Sequence, residues 1–273
     1  MSQSRSTHRP GNHFTWVLVI MAVVGLLLLT LPTAALVLRA LEARDVLEDP
    51  RSRTLLREAL VLSLWTSLLS LVIIVVVGTP IAWVLARVQF PGRTLVDALI
   101  DLPIILPPAV AGIALLSAFG RRGLLGGWLE NLGITVGFTT TAVIMAQIFV
   151  SAPFYIRTAR AGFSRLDHTI EEAAADLGAS PWRVFWTVTL PLCRASLVAG
   201  AVLAWARALG EFGATIMFAG NRVGVTQTMP LAIYERFGAG DLQTALVMSG
   251  ILLIASVSFL VVVRLLGEQG TSR

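Results

Sequence analysis

Long runs without charge, separated by short polar loops, set the pattern along this chain. Charge-free stretches cover Phe14–Leu38, Ala59–Ala86, Leu102–Gly120, Asn131–Ile156 and Leu242–Val263. A sixth stretch, Ala195–Asn221, is apolar except for Arg207 and Glu211. A helix needs about 20 apolar residues to cross a bilayer. The pattern therefore predicts six membrane spans, at about 14–38, 59–86, 102–120, 136–156, 195–218 and 242–264. No strand-like alternation of apolar and polar positions is present, which argues against a β-barrel. The first run exceeds the 7–15 apolar residues of a signal-peptide core and ends without a small-residue cleavage site. The expected fold is all-α, one polytopic membrane domain over residues 1–273.

Six spans put both termini on one side. That side collects eleven arginines, against nine on the other, where Arg39–Arg57 supplies five. The positive-inside rule then places the termini in the cytoplasm by a small margin.

The longest polar stretch, Arg157–Arg194, follows the fourth span. Asp167–Leu177 is Ala-rich and predicts a helix. Gly178 ends it as a C′ glycine would. Ser180 followed by Pro181 reads as an N-cap with Pro at N1. A second short helix, Pro181–Val188, is expected to stop before Pro191. Two short helices joined by a turn make a rigid cytoplasmic protrusion, suited to docking a partner.

Composition narrows the chemistry. All 21 basic residues are arginine and there is no lysine. A Walker A loop needs its lysine, so a standard P-loop ATPase is excluded, as is Schiff-base chemistry. The absence of lysine also fits a GC-rich coding bias. The single Cys193 allows no internal disulfide, and His8, His13 and His168 are too few and scattered for a metal site. The net charge of +5 on so apolar a chain suggests anionic lipid headgroups rather than nucleic acid.

Two further features bear on a pathway. Pro103, Pro107 and Pro108 open the third span, where each proline removes a donor and clashes with the preceding turn. They mark either the start of a span or a kinked helix lining a pathway. Arg207 and Glu211 are four apart, hence on one helix face, and would lie near the middle of the fifth span. Intramembrane charges face the bundle interior and pair. The two either hold the bundle together or form a gate, with Arg207 offsetting a passing anion and Glu211 weakening its grip. Gly210 and Gly213 bracket Glu211 and allow close helix approach or a bend.

Glu172-Ala173-Ala174, three residues, Gly178, nine residues, then Val188-Thr189-Leu190-Pro191 resembles the EAA loop of membrane subunits of ATP-binding-cassette importers. Val188 stands where that family usually has Ile. The loop also lies between spans four and five, as in the family. Arg207–Asn221 and Thr226–Tyr234 look like the fifth span of molybdate permeases and the segment after it, and Phe119–Gly126 is similar to their third-span exit. Sulfate and thiosulfate permeases share the Arg-Ala-hydrophobic-Gly-Glu core but usually differ beyond it.

The resemblance implies a coupling loop at 164–191 in which Glu172, Ala173, Ala174, Asp176, Gly178, Ser180, Pro181 and Arg183 meet an ATPase subunit. The charge pair, the glycines and the prolines by themselves make Arg207, Gly210, Glu211, Gly213, Pro107 and Pro108 the candidate pathway or gate. Expected partners are a second copy of the chain, two ATPase subunits that bind ATP and Mg, and a periplasmic or lipid-anchored oxyanion-binding protein. No cofactor or catalytic residue is expected in this chain. The 222–241 loop would lie outside, with Pro230–Phe237 as an interfacial helix and Tyr234 near the headgroups. Only seven residues follow Leu266, so the C-terminal oxyanion-sensing domain of some relatives is not expected. A sulfate permease is the alternative within the family. A self-contained secondary transporter or channel is the alternative outside it, and would leave the EAA pattern unexplained. An intramembrane enzyme would need clustered His, Asp or Ser within the spans.

Overall fold

The computed structural model describes residues 12–268. Arg5, His8, Arg9 and Arg273, counted above for orientation and chemistry, lie outside them. The described residues form helices and no strand. In chain order these are α1 (Asn12–Glu42), a 3-10 turn (Arg44–Glu48), α2 (Pro50–Arg87), α3 (Arg93–Ile105), α4 (Pro108–Phe119), α5 (Gly126–Asn131) and α6 (Thr140–Arg165). They continue with α7 (His168–Asp176), α8 (Pro181–Val184), a π turn (Phe185–Thr189), α9 (Leu190–Leu209), α10 (Gly213–Phe218), α11 (Met229–Gly238) and α12 (Leu242–Glu268). Five helical stretches are long and apolar enough to cross a membrane, and α3 with α4 makes a sixth if counted as one broken span.

Two expected spans are not single helices. The third bends by 118° between α3 and α4. Pro107 takes an extended backbone there and N-caps α4, and Pro108 occupies its first turn. Neither proline has an N–H to give to the turn before it, so the helix cannot run through. The fifth expected span, 195–218, ends instead at Leu209, and 213–218 forms the separate α10. At its other end the helix extends further than expected. Pro181–Leu209 is one continuous stretch of 29 residues. Pro191 does not stop it, because the π turn lies just ahead: the Leu190 N–H bonds to the Phe185 carbonyl, five residues back. This wider turn relieves the clash a proline makes with the carbonyl four residues before it.

α6 sits at the centre. One cluster packs α6 against α4 and α10 through Leu115, Val143, Ala146, Val150, Ala214 and Phe218. A second packs α6 between α2 and α9 through Ile74, Tyr155, Ala159, Phe163 and Ala204. A third joins the start of α2 to α11 and α12 through Ala59, Met229, Ala232 and Met248.

Hydrogen bonds join α2 and α6 as well. Gln147 accepts from Ser70 Oγ at 3.0 Å and donates to Thr66 Oγ1 at 3.2 Å, all buried. Polar side chains hold helices together in this way where lipid offers no alternative partner. Ser63, one turn earlier on the same face, accepts the Met229 N–H at 2.7 Å and so caps α11. α1 is apolar on every side and its residues are exposed along the length that would face lipid.

Candidate functional site: the α7–α8 loop and a pair of broken helices

The loop between α6 and α9 folds from local signals. Asp167 Oδ1 accepts the Thr169 N–H at 3.0 Å and caps α7. That bond, with a smaller contribution from His168, holds the Asp167 carboxyl below its ordinary pKa. Gly178 closes α7 at φ +84°, a conformation that costs a side-chain-bearing residue about 1–2 kcal/mol. Ser180 Oγ accepts the Arg183 N–H at 3.4 Å, and Pro181 opens α8. Glu172, Ala173, Asp176, Gly178, Ser180, Pro181 and Arg183 are exposed, and Ala174 is partly so. Leu177, between them, is 90% exposed. The loop thus presents a small-residue surface with a carboxylate at one end and an apolar tip at the other. Trp83, Trp182, Phe185 and Trp186 form an aromatic group beside it, edge-on except for the stacked Trp182–Phe185 pair. Tryptophans gather in this way at membrane–water interfaces.

The second constellation lies where the two broken helices meet. Arg207 stands in the last turn of α9 and Glu211 just beyond it, at a helix end rather than in the middle of one continuous helix. They pair at 2.7 Å, with Glu211 1% exposed and the Arg207 side chain 30% exposed. The other Glu211 oxygen accepts the Ala214 N–H at 2.8 Å, so one carboxylate ties the end of α9 to the start of α10. Arg207 borders a cavity of about 120 Å³, shared with Pro103, Leu106, Pro108, Val150 and Phe154. A space of this size holds several water molecules.

Gly213 meets Pro108 so closely that an added Cβ would lie 2.4 Å from the proline ring. Gly112 likewise abuts Ala214 and Met217. Gly210 behaves differently: an added Cβ there would find only the Ala206 carbonyl, at 3.6 Å. Of the two glycines beside Glu211, Gly213 therefore serves close packing and Gly210 lies at the bend. Pro107 and Pro108 join this constellation through the α3–α4 break.

Further charged groups tie the helices together. Asp97 and Asp101, one turn apart on α3, pair with Arg160 and Arg157 of α6, the latter at 3.5 Å. Arg87, His168, Glu171 and Thr189 cluster under the α7–α8 loop. The four-residue spacing of the α3 carboxylates was the only local sign of the first group. At the end of the bundle formed by the start of α2 and α12, α11 packs across, and Asn221 and Gln227 both donate to Glu235. Tyr234 is exposed and packs against Phe212. Among the described residues no group of His, Cys, Asp or Glu could hold a metal ion.

A family model described as "binding-protein-dependent transport system inner membrane component" matches residues 78–268, which include the loop and both broken helices. The chain belongs to this family. It is a multi-pass inner-membrane protein of the transporter-permease type. Among its relatives, the molybdenum transport system permease protein ModB of Mycobacterium tuberculosis is 44% identical over 244 residues, 88% of this chain and 90% of ModB. The sulfate transport system permease protein CysT of Escherichia coli is 38% identical over 243 residues, 86% of this chain and 85% of CysT. A bacterial ABC transporter that imports the acidic polysaccharide alginate shares the fold at a TM-score of 0.72. The match covers 95% of this chain and 96% of that one, at 17% identity.

Proposed function

We propose that this chain is the membrane subunit of an ATP-driven importer and passes molybdate, or the isosteric tungstate, into the cytoplasm. The observation that carries the reading is the 44% identity to ModB over nine-tenths of that protein's length. A sulfate or thiosulfate permease is the second reading, supported by the 38% identity to CysT. Both termini are cytoplasmic. Two copies of the chain pair around a shared pathway, since one copy encloses none. Each copy receives one ATPase subunit at the α7–α8 surface, where Glu172, Ala173, Ala174 and Gly178 make the contact. The ATPases bind ATP and Mg, and this chain hydrolyses nothing. A periplasmic or lipid-anchored binding protein delivers the oxyanion to the outer face.

The geometry suits alternating access. The breaks after Ile105 and Leu209 divide long helices into segments that can pivot, and hinges of this kind absorb large backbone changes. Arg207 supplies positive charge at the cavity of about 120 Å³ beside the α3–α4 break. Glu211 neutralises part of that charge, so a dianion is attracted without being held fast. Selection among oxyanions then rests with the binding protein, because a pathway that must release its cargo gains nothing from tight binding.

The test is uptake of labelled molybdate at low concentration in cells lacking their own transporter. The cells carry this chain with its cognate ATPase and binding protein, with and without a large excess of sulfate. Uptake that survives the sulfate is expected. Uptake abolished by sulfate would move the substrate to the sulfate branch.

A further inference from the structure

Under the α7–α8 loop, two side chains link three elements that are far apart in the sequence. Arg87 ends α2 and Glu171 lies in the first turn of α7; their side chains are 7% and 18% exposed and pair at 2.9 Å. Arg87 also donates to His168 Nε2 at 2.7 Å. The second Glu171 oxygen accepts from Thr189 Oγ1 at 2.5 Å. Thr189 is buried and closes the π turn that opens α9. One carboxylate thus bridges the cytoplasmic end of α2 to the cytoplasmic end of α9. Its sequence neighbour Glu172 is exposed, and its side chain makes no hydrogen bond or ion pair among the described residues.

α7 has no buried residue of its own. Apolar packing therefore transmits little of any force applied to it, and the charged link carries the load. The point of attachment on α9 is a π turn, a segment whose wider hydrogen bonding marks functional sites in helices. From Thr189, α9 runs about 27 Å to Arg207 at the helical rise of 1.5 Å per residue. α2 and α9 flank α6, so a displacement of α7 through this link moves both walls of the central packing cluster together.

We propose that Glu171 is the positioning residue that converts displacement of the loop into joint movement of α2 and α9, while Glu172 faces the ATPase. The two adjacent glutamates divide the work: one holds the loop to the bundle, the other offers it to the partner. This rests on the importer reading above.

The experiment uses the whole complex, this chain with its ATPase subunits and binding protein, in vesicles with labelled molybdate and ATP. It reads the molybdate moved per ATP hydrolysed and the ATPase retained on the purified complex. Glu171→Gln keeps an acceptor for Thr189 but removes the ion pair. It is expected to retain the ATPase and ATP hydrolysis while molybdate per ATP falls about tenfold, within the usual range of site-to-site coupling. Reversing the pair, Glu171→Arg with Arg87→Glu, recovers most of the ratio, whereas either reversal alone does not. Glu172→Gln instead loses the ATPase. Should Glu171→Gln fail to fold, Thr189→Val removes only the α9 half of the link and is expected to lower the same ratio. An unchanged ratio in the variant that folds overturns the proposal, as does a Glu171→Gln loss of ATPase parallel to that of Glu172→Gln. Wild-type vesicles that hydrolyse ATP without ATP-dependent uptake would overturn the importer reading itself, before any variant is compared.

Discussion

Gly213→Ala and Gly210→Ala, three residues apart, are expected to differ in stability for a reason that can be worked from geometry. At Gly213 the new Cβ would lie 2.4 Å from Pro108 Cβ, where ordinary contact begins at 3.4 Å. About 1 Å of relief is needed, and the neighbour is a ring fixed to its own backbone. Pro108 is also held in the first turn of α4, so either α4 or α10 must shift as a unit. Overpacking of this kind costs about 1–3 kcal/mol. Alanine's better helix propensity, about 1 kcal/mol in a helix interior, returns little at Gly213, the first residue of α10. A net loss of about 1–2 kcal/mol lowers the melting temperature by roughly 2–8 °C in a domain of this size.

At Gly210 the new Cβ meets only a carbonyl oxygen at 3.6 Å. With φ at −87° there is no left-handed strain to relieve or create, so the melting temperature should stay within about 2 °C of wild type. Thermal unfolding of the purified protein in detergent, followed by tryptophan fluorescence, makes the comparison. Trp205, buried and stacked on Phe259, lies in α9 and reports on the bundle. A Gly213→Ala protein as stable as the wild type would refute the claim that the two broken helices are locked by this contact.

Other expectations follow from the same sites. Removing Glu211 by Glu211→Ala takes away the partner of Arg207 and the acceptor of the Ala214 N–H. Glu211 is buried but Arg207 is partly exposed, so the loss is set mainly by the orphaned polar groups, at about 1–3 kcal/mol, read as lost folded yield on size exclusion; Arg207→Ala with Glu211→Ala should cost less than the two single changes summed. Gly178→Ala places a side chain at φ +84°, at about 1–2 kcal/mol, and Gly178→Asn should lose less of the ATPase on co-purification. The depressed pKa of Asp167 means its cap on α7 is fully formed above the ordinary carboxylate pKa of about 3.9 and is lost as pH falls through the lower folded value. Hydrogen exchange at Thr169 should therefore be faster in Asp167→Ala at neutral pH, with the difference vanishing in acid.

Much of this arrangement was written in local sequence. Gly178, Ser180 and Pro181 carry their own conformational signals, and each signal is used in the structure. Charge-free runs located the long helices because crossing lipid demands composition and little else. The breaks were not legible in the same way, since hydropathy measures the polarity of a segment and not the direction of its axis. Pro107-Pro108 and the Gly210–Gly213 cluster carried a signal for them, but only the packing of α4 on α10 turns two weak points into one site. Pro191 pointed the wrong way: a proline signals a stop in an α-helix, and the π turn that accommodates it has no sequence mark of its own.

Glu171 shows a different limit. Glu171 and Glu172 are identical in type and adjacent, so no local rule separates them. Their roles divide because α7 is docked with one facing Arg87, a residue 84 positions earlier in the chain. Burial of a charged pair across such a distance is a property of the assembled bundle.

As proposed, this chain turns ATP-driven movement of an attached subunit into oxyanion import through its α7–α8 loop. The most direct measurement is binding-protein-dependent molybdate uptake into vesicles holding the complex, with ATP inside or omitted. It is made in the wild type and in Glu172→Arg. Uptake should require ATP and the binding protein, and Glu172→Arg should abolish it by releasing the ATPase from an otherwise folded chain. Uptake at wild-type rate without ATP, or with the ATPase subunit left out, would contradict the account.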